Sequence, residues 1–201
     1  MKYFGEKEAE KFLVKQGFDV VDFYFVSSES ELKKALKQIG VPCFMKVSGK
    51  RIVHKKKIGG VKFIKTLSEA IYEMNKLKKI RGANGVIVQK NFPGKEFLLG
   101  IKKTPEFEHV VVFGSGGSDV EEKKDVCFRV CPLDKKEVNK MLKETKIGNK
   151  VSKKLKECLQ KNILKICELV EKHPKISELD INPFIFSRGK GKIVDARIVW
   201  N

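Results

Sequence analysis

The sequence Glu178-Leu-Asp-Ile-Asn-Pro-Phe184, followed by Val194-Asp-Ala-Arg197, places carboxylate and carboxamide side chains on two apolar segments. Alternating apolar and polar residues predict two short strands, and Ser187-Arg-Gly-Lys-Gly191 between them contains enough glycine to reverse the chain. A hairpin of this length would bring Asn182 and Asp195 within reach of one ion. Oxygen ligands of these types suit Mg²⁺, which keeps several waters and completes its shell with substrate phosphates. A turn-forming role for the acidic residues is the other interpretation, and the spacing alone leaves both open.

Asp180 precedes Asn182 on the same predicted strand. Side chains two positions apart on a strand point to the same face. We therefore expect Asp180 to belong to the same metal site, as a partner that supports the two ligands.

The composition is that of a globular protein with one domain or two small lobes. The chain has 201 residues, of which 41% are hydrophobic and 34% charged, enough for a substantial core. No apolar run approaches the ~20 residues that a membrane span needs, and the first residues lack the apolar core of a signal peptide. The five cysteines include no Cys-x-x-Cys pair, which indicates reduced thiols. We therefore expect a cytoplasmic protein with no membrane partner.

The net charge is +18, from 43 Lys and Arg against 25 Asp and Glu. Such an excess is typical of proteins with an anionic partner, such as a nucleotide, CoA, nucleic acid or an acidic protein surface. The lysines are spread along the chain without an RNP-type aromatic motif or zinc-finger spacing. A solvated, lysine-rich surface of the kind found in heat-adapted proteins accounts for most of the charge, so no specific nucleic-acid partner is expected.

The order of patterns along the chain predicts an α/β (α+β) fold. Residues 20 to 90 alternate between strand and helix patterns, which indicates a small sheet with helices packed on it, and Ser28 and Thr66 start its helices. Beyond Pro93, strand patterns follow one another and indicate an antiparallel sheet, before a helix capped by Asp134 and a long amphipathic helix over roughly 152 to 172. We expect one domain over 1–201, with an N-terminal lobe of 18–91 and a C-terminal lobe of 1–17 and 92–201.

Lys46 interrupts an otherwise apolar strand pattern, Cys43-Phe-Met-Lys-Val47. Burying an ammonium group without a partner is costly, and a bound phosphate would supply the partner. A lysine that reaches past the strand to solvent fits the pattern equally well.

His54 lies among cations in Val53-His-Lys-Lys-Lys57. A histidine in such surroundings stays neutral more readily, so it could act as a nucleophile toward a phosphoryl group. A surface histidine without a role is the simpler interpretation of this segment alone.

A glycine-rich turn, Phe113-Gly-Ser-Gly-Gly-Ser-Asp-Val-Glu121, follows a predicted strand. Free N–H groups of such a turn can cradle phosphate, although a mobile β-turn fits equally well. Arg129 follows closely, and arginine can grip phosphate oxygens with two hydrogen bonds.

The order of these features is that of an ATP-grasp nucleotide site, and the sequence resembles the β subunit, or ATP-grasp domain, of archaeal-type ADP-forming acetyl-CoA (acyl-CoA) synthetase. It is similar, more distantly, to the β subunit of succinyl-CoA synthetase. The motifs that carry the resemblance run nearly from end to end. They are Lys46-Val-Ser48, Val53-His-Lys55, Gly59-Gly-Val-Lys62, Gly85-Val-Ile-Val-Gln89, Gly94-Lys-Glu96, Val112-Phe-Gly-Ser-Gly-Gly117, Val120-Glu121, Lys124-Asp-Val-Cys-Phe-Arg129, Pro132-Leu133, Glu178-Leu-Asp-Ile-Asn-Pro183 and Val194-Asp-Ala-Arg197.

The resemblance implies a fold of two α/β lobes with the nucleotide site between them, ATP or ADP and Mg²⁺ as cofactors, and a CoA-binding α subunit in an α₂β₂ complex. In the family, a phosphohistidine on the α subunit passes its phosphoryl group to ADP through a second histidine, which His54 matches. The resemblance also implies that Arg129 faces the transferred phosphoryl group and that Asn182 and Asp195 bind the Mg²⁺ ion. The nucleotide contacts implied are Lys46, Gln89, Lys90, Phe92, Glu96, Gly114, Gly116 and Gly117.

The sequence departs from the family pattern mainly around the histidine relay. Gly49 and Lys50 stand where the family usually has Pro and Asp, Lys57 replaces an acidic residue, and Ser118-Asp119 replaces apolar residues. The resemblance therefore predicts an acid–CoA ligase subunit that makes ATP with its partner. A non-catalytic or regulatory nucleotide-binding subunit is the alternative.

Overall fold

The computed structural model describes residues 2–49, 52, 55–117 and 124–201. These residues form two compact units, one within Val21–Phe92 and the other within Met1–Val20 and Pro93–Asn201. In chain order, the elements are β1 (Lys2–Phe4), α1 (Glu6–Lys15), β2 (Phe23–Val26), α2 (Glu29–Ile39), β3 (Cys43–Ser48), β4 (Val61–Ile64), α3 (Leu67–Lys78), β5 (Gly85–Lys90), β6 (Lys95–Lys102), β7 (Val110–Ser115), β8 (Val126–Val130), α4 (Lys135–Glu144), α5 (Lys146–Asn149), α6 (Lys153–Lys172), β9 (Ile176–Ser187), β10 (Lys190–Ile193) and β11 (Ala196–Trp200).

The unit Val21–Phe92 is an antiparallel sheet in the order β2-β5-β3-β4, with α2 and α3 packed against it. Met45, Val47 and Val88 point toward the helices and are buried in one apolar core. Because successive side chains on a strand point to opposite faces, Lys46 and Gln89 lie on the other face of this sheet.

The second unit is built on the sheet β1-β11-β9-β6-β7-β8, and β10 also pairs with β9. Neighbouring strands in this sheet pair antiparallel, as the strand patterns beyond Pro93 predict. Its helices contact the sheet through α1 on β11, α4 on β8 and α6 on β6 and β10. Phe97, Phe113, Ile163 and Phe184 are fully buried and form the centre of this unit's apolar interior.

The helix starts agree with the local sequence signals. Ser28 and Glu31 form a reciprocal capping box on α2, and the side chains of Thr66, Asp134 and Ser152 accept hydrogen bonds from the first turns of α3, α4 and α6. Each cap satisfies a backbone N–H that has no partner within its helix. The predicted caps at Ser28, Thr66 and Asp134 are therefore confirmed.

The closing hairpin differs from its prediction. The sequence suggests two short strands, whereas the second of them is divided into β10 and β11, with Val194 and Asp195 between them. Both pair with β9, which is a strand of 12 residues. Pro183 lies inside it, at the point where the register between β9 and β6 shifts. A proline is tolerated at such an irregularity because the missing N–H is not needed for the ladder. None of the helices in the described part of the chain has the length and apolar character needed to cross a membrane.

Candidate functional site

Asn182 and Asp195 lie directly opposite each other in the second unit. The backbone N–H of Asn182 donates to the carbonyl of Asp195 at 3.1 Å, and that of Val194 donates to the carbonyl of Pro183 at 3.1 Å. Residues opposite each other on antiparallel neighbours have side chains on the same face, with β-carbons about 5 Å apart. Both side chains are half-buried. The structure thus brings together the two residues predicted to bind metal.

Asp180 lies on the same face but has a cationic partner. Its Oδ2 accepts a hydrogen bond from Nη2 of Arg197 at 2.5 Å, and the two residues are register partners on β9 and β11. Burial alone would lower the pKa of Arg197, but the hydrogen bond and the charge of Asp180 outweigh it and raise that pKa. Asp180 therefore forms an ion pair beside Asn182, and its membership of a metal site stays a prediction.

Ser115, Gly116 and Gly117, which we call the glycine bridge, are held by hydrogen bonds from all three backbone N–H groups. Ser115 donates to the carbonyl of Asp125 at 3.0 Å, and Gly116 to the carbonyl of Glu96 at 3.2 Å. Gly117 donates to Oδ1 of Asn182 at 2.8 Å, and Nδ2 of Asn182 donates back to the carbonyl of Gly117 at 3.3 Å. The expectation of free N–H groups in the glycine-rich turn is therefore wrong for this part of it. The roles of Gly114, Gly116 and Gly117 as nucleotide contacts stay predictions.

Close packing explains the glycines of this segment. A β-carbon at Gly116 would overlap the backbone of Phe97, and one at Gly117 would overlap the carboxylate of Glu96. Gly117 also has a φ of 97°, in the region that favours glycine. The consequence is that Glu96, the glycine bridge and Asn182 meet at one place on this unit.

Asp125 joins the same cluster, and sequence reasoning gave it no role of its own. Its carboxylate accepts hydrogen bonds from the backbone N–H groups of Lys146 (2.7 Å) and Ile147 (2.9 Å) and from the hydroxyl of Ser115 (2.9 Å). Burial alone would raise its pKa, but these hydrogen bonds outweigh burial and lower it. Its sequence signals were its place in the family motif Lys124–Arg129 and its position beside a predicted strand and a glycine-rich turn.

Arg129 lies away from the predicted metal pair. It shares a face of β8 with the buried Cys127, the face against α4, and its guanidinium pairs with Glu144 and, at 3.6 Å, with Glu137. The hydrogen bond to Glu144 raises the pKa of Arg129 further. Asn182 lies on the opposite side of this sheet, since its strand neighbour Ile181 is the residue that packs inward. The structure does not bring Arg129 together with Asn182 and Asp195, and its contact with a phosphoryl group stays a prediction.

In the unit Val21–Phe92, two predicted nucleotide residues share one face of the sheet. Lys46 is 6% exposed and Gln89 is fully buried, on the neighbouring strands β3 and β5. Lys90 is exposed at the end of β5 and pairs with Asp22 at 3.8 Å, and Phe92 is half-buried just beyond it. The register places Ile87 opposite Lys46 and Phe44 opposite Gln89, so the two polar side chains are diagonal neighbours on this face. Buried polar groups on one face suit an anionic or hydrogen-bonding ligand.

His54 lies outside the described residues, as do Ser118 and Asp119. The segment after His54 returns to the sheet through Gly60, whose N–H donates to the carbonyl of Lys55 at 2.7 Å and whose carbonyl accepts from Val47 at 2.8 Å. The relay role of His54 therefore stays a prediction.

The donor set at Asn182 and Asp195 fits Mg²⁺. Both supply oxygen, and across the described residues no group of three or more His, Cys, Asp and Glu side chains could hold a metal ion alone. Mg²⁺ is bound in proteins through one or two carboxylates with waters and substrate phosphates, rather than by a full protein cage. Two protein oxygens opposite each other are what such a metal needs.

Comparison with known proteins gives matches over nearly the whole chain. A family model described as an ATP-grasp domain matches residues 1–199. The chain is 35% identical, over 96% of its own length and 90% of the relative, to the acetate–CoA ligase [ADP-forming] I subunit beta of Pyrococcus furiosus. It is 36% identical over 96% of its length to acetate–CoA ligase [ADP-forming] II of Archaeoglobus fulgidus, of which it spans 30%.

Solved structures give the same result. A dinucleotide-forming acetyl-coenzyme A synthetase 1 of Ca. Korarchaeum cryptofilum, in complex with coenzyme A and Ca-AMPCP, matches with a TM-score of 0.90 and 30% identity, over 100% of this chain and 94% of that one. Another structure of that enzyme holds Mg-AMPPCP, with its phosphohistidine segment pointing toward the nucleotide binding site, and matches with a TM-score of 0.83 and 28% identity.

Proposed function

Since the chain belongs to the ATP-grasp family, and within it to the ADP-forming acetate–CoA ligase β subunits, we propose that it is the nucleotide-binding β subunit of an ADP-forming acyl-CoA synthetase. The overall reaction is acyl-CoA + ADP + phosphate ⇌ carboxylate + CoA + ATP. This chain carries out the phosphoryl transfer between phosphohistidine and ADP. It works with a separate CoA-binding α subunit, in an α₂β₂ complex.

The observation that carries the proposal is the cluster of Asn182, Asp195, Glu96 and the glycine bridge in one unit. Asn182 and Asp195 would hold Mg²⁺, which supplies charge neutralisation on the phosphates when it is bound. Glu96 would contact the nucleotide beside them.

Both units contribute groups to the nucleotide in this proposal, as the two lobes of a single ATP-grasp domain. Lys46 would bind phosphate oxygens, because it is a largely buried cationic residue on the mainly apolar strand β3. Gln89, Lys90 and Phe92 would form the adenine side. Phosphoryl transfer needs little covalent chemistry from the protein, so positioning and charge account for the work of these side chains.

His54 is the proposed relay histidine, and Arg129 the proposed phosphoryl contact. For Arg129 this requires exchange of its carboxylate partners, Glu137 and Glu144, for the phosphoryl group. The reaction belongs in the cytoplasm, which is supported by the state of the five cysteines, all of them free thiols.

The decisive experiment mixes the purified chain with a CoA-binding α subunit, acetyl-CoA, phosphate, ADP and Mg²⁺, and measures ATP. ATP formation that is lost in Asn182→Ala and kept in Asn162→Ala supports the proposal. Asn162 is a matched control, because its amide donates within α6 to the carbonyl of Cys158 at 2.9 Å. No ATP from an assembled complex, across several acyl-CoA substrates, would rule the catalytic function out.

A non-catalytic nucleotide-binding subunit is the second candidate, and the ion pairs of Arg129 with two carboxylates favour it. It predicts Mg²⁺-dependent ADP binding without ATP formation. The same mixture distinguishes the two, provided that ADP binding is measured alongside.

A further inference from the structure

We propose that Asp125 is a positioning residue of the nucleotide-metal site, which sets the direction of the Asn182 side chain through the glycine bridge. The inference rests on the proposed function and deepens it. Asp125 itself touches neither of the predicted metal ligands. It acts through Ser115 and Gly117.

The first step of the argument is the number of bonds that converge on Asp125. Its carboxylate accepts from the Lys146 and Ile147 N–H groups and from the Ser115 hydroxyl, and its carbonyl accepts from the Ser115 N–H. Ser115 is 8% exposed, and the bonds from its hydroxyl and from the Ile147 N–H are partly buried, whereas the bond from Lys146 is exposed. A carboxylate is needed here, because it accepts at both oxygens and donates nothing.

The second step is that the glycine bridge links the position of Asp125 to that of Asn182. Its three N–H groups donate to the Asp125 carbonyl, the Glu96 carbonyl and the Asn182 amide oxygen, so a shift at either end would break a hydrogen bond. Gly116 packs so tightly on Phe97 that no β-carbon fits between them. The bridge is therefore a fixed connection from Asp125 to Asn182.

The third step concerns the amide of Asn182. Because the N–H of Gly117 points at it, the facing amide atom must be the oxygen, and the carbonyl of Gly117 fixes the nitrogen in the same way. An amide oxygen has two acceptor positions. The N–H of Gly117 occupies one of these positions on the Asn182 oxygen. The position of Gly117 therefore sets the direction of the second acceptor position, which would face the proposed metal beside Asp195.

The test uses ADP titrations by calorimetry, with Mg²⁺ or with EDTA, on the full chain. The readout is the factor by which Mg²⁺ tightens ADP binding. In Asp125→Asn, whichever way the amide turns, its NH₂ group meets one of the two backbone N–H groups. We expect the Mg²⁺ factor to fall by about 10- to 100-fold, the range typical for partners that orient metal ligands, while ADP affinity in EDTA stays at the wild-type value.

Asp134→Ala is the control, since alanine removes the side chain that caps its helix. Asp134 is also an aspartate that accepts from a backbone N–H of the same unit, that of Glu137 at 2.7 Å. This bond lies at the start of α4 and does not involve the glycine bridge. This variant should lower the melting temperature and leave the Mg²⁺ factor unchanged, which separates positioning from a general loss of stability.

The outcomes are distinguishable. A wild-type chain that binds no ADP overturns the proposed function and this inference together. A wild-type chain with a Mg²⁺ factor that Asp125→Asn fully retains overturns the inference alone. If circular dichroism shows Asp125→Asn unfolded, Ser115→Ala decides, because it removes one link of the same connection: a reduced factor supports the inference and an unchanged factor overturns it.

Discussion

Asn182 holds the backbone of the glycine bridge and is also one of the two proposed metal ligands. Its amide donates to and accepts from Gly117, which an aspartate could not do, because a carboxylate oxygen would face the Gly117 carbonyl. The amide at position 182 is therefore explained by its two bonds to Gly117, independently of any metal.

The titration of Asp125 is expected to make the stability of the fold depend on pH. Its pKa is lowered in the folded protein, so its hydrogen bonds stabilise the fold above its ordinary pKa of 3.8 and are lost as the pH falls through the lower folded value. Between about pH 5 and pH 2, the melting temperature of the wild type should fall more than that of Asp125→Asn. Thermal melts at several pH values measure this, and parallel curves for the two proteins would contradict it.

His54 is expected to carry the phosphoryl group in the assembled enzyme. Replacing it with alanine removes the nucleophile without touching Asn182 or Asp195, so ³²P labelling of this chain should be lost while Mg²⁺-dependent ADP binding persists. The measurement is labelling from ³²P-phosphate and acetyl-CoA, with the α subunit present. The chain has three histidines, and labelling that persists in the variant would assign the phosphoryl group to His109, His173 or another residue type.

The partners of the Arg129 side chain could not be predicted from the sequence. Its place in the chain, between the glycine-rich turn and the metal pair, follows the order of the family motifs. That order carries no information about which face of β8 the side chain takes or which acidic residues a later helix supplies. Glu137 and Glu144 come from α4, and only the packing of α4 on β8 brings them to the guanidinium.

At the scale of elements, sequence signals with a local cause were reliable. Capping side chains and apolar stripes depend on neighbours in the chain, and the long helix predicted at roughly 152 to 172 is Lys153–Lys172 in the structure. The second strand of the closing hairpin was predicted as one segment, and the structure divides it into β10 and β11. The gap lies opposite Pro183, which has no N–H to donate to Val194, while β9 itself continues because its register with β6, a strand distant in sequence, shifts there.

The helix α6 is expected to stabilise its unit mainly through one buried stripe. Ile163 lies in this stripe with no exposed surface, so Ile163→Ala should cost about 2–5 kcal/mol in the free energy of unfolding. Lys161→Ala, on the exposed face of the same helix, should change it by no more than about 0.5 kcal/mol. Urea unfolding followed by circular dichroism measures both, and equal losses would refute this account of α6.

At the scale of the whole molecule, the ATP-grasp fold expected from the resemblance is confirmed by the family match over residues 1–199 and by the TM-score of 0.90. The sequence could carry this expectation because the motifs run from one end of the chain to the other. It could not supply the bonds of the glycine bridge, since these join Asp125, Glu96 and Asn182 from three separate strands or strand ends.

The last prediction concerns the two compact units. Each has its own apolar core, so each can report on ligand binding through the hydrogen exchange of its core amides. If both units contribute to the nucleotide, MgADP at 100 times its Kd should stabilise both by about 2.7 kcal/mol. Amides that exchange only by global unfolding should then slow about 100-fold in β3 and β5 and equally in β6 and β9.

Each lobe has a variant that makes this test specific. Lys46→Met removes the buried cation of one unit and keeps an apolar side chain of similar length, and Asn182→Ala removes the proposed metal ligand of the other. If binding is shared, either variant abolishes the protection of both cores, because a nucleotide that leaves one unit no longer stabilises the other. Protection that remains in β6 and β9 of Lys46→Met, at unchanged ADP affinity, would confine the nucleotide to the unit that holds Asn182.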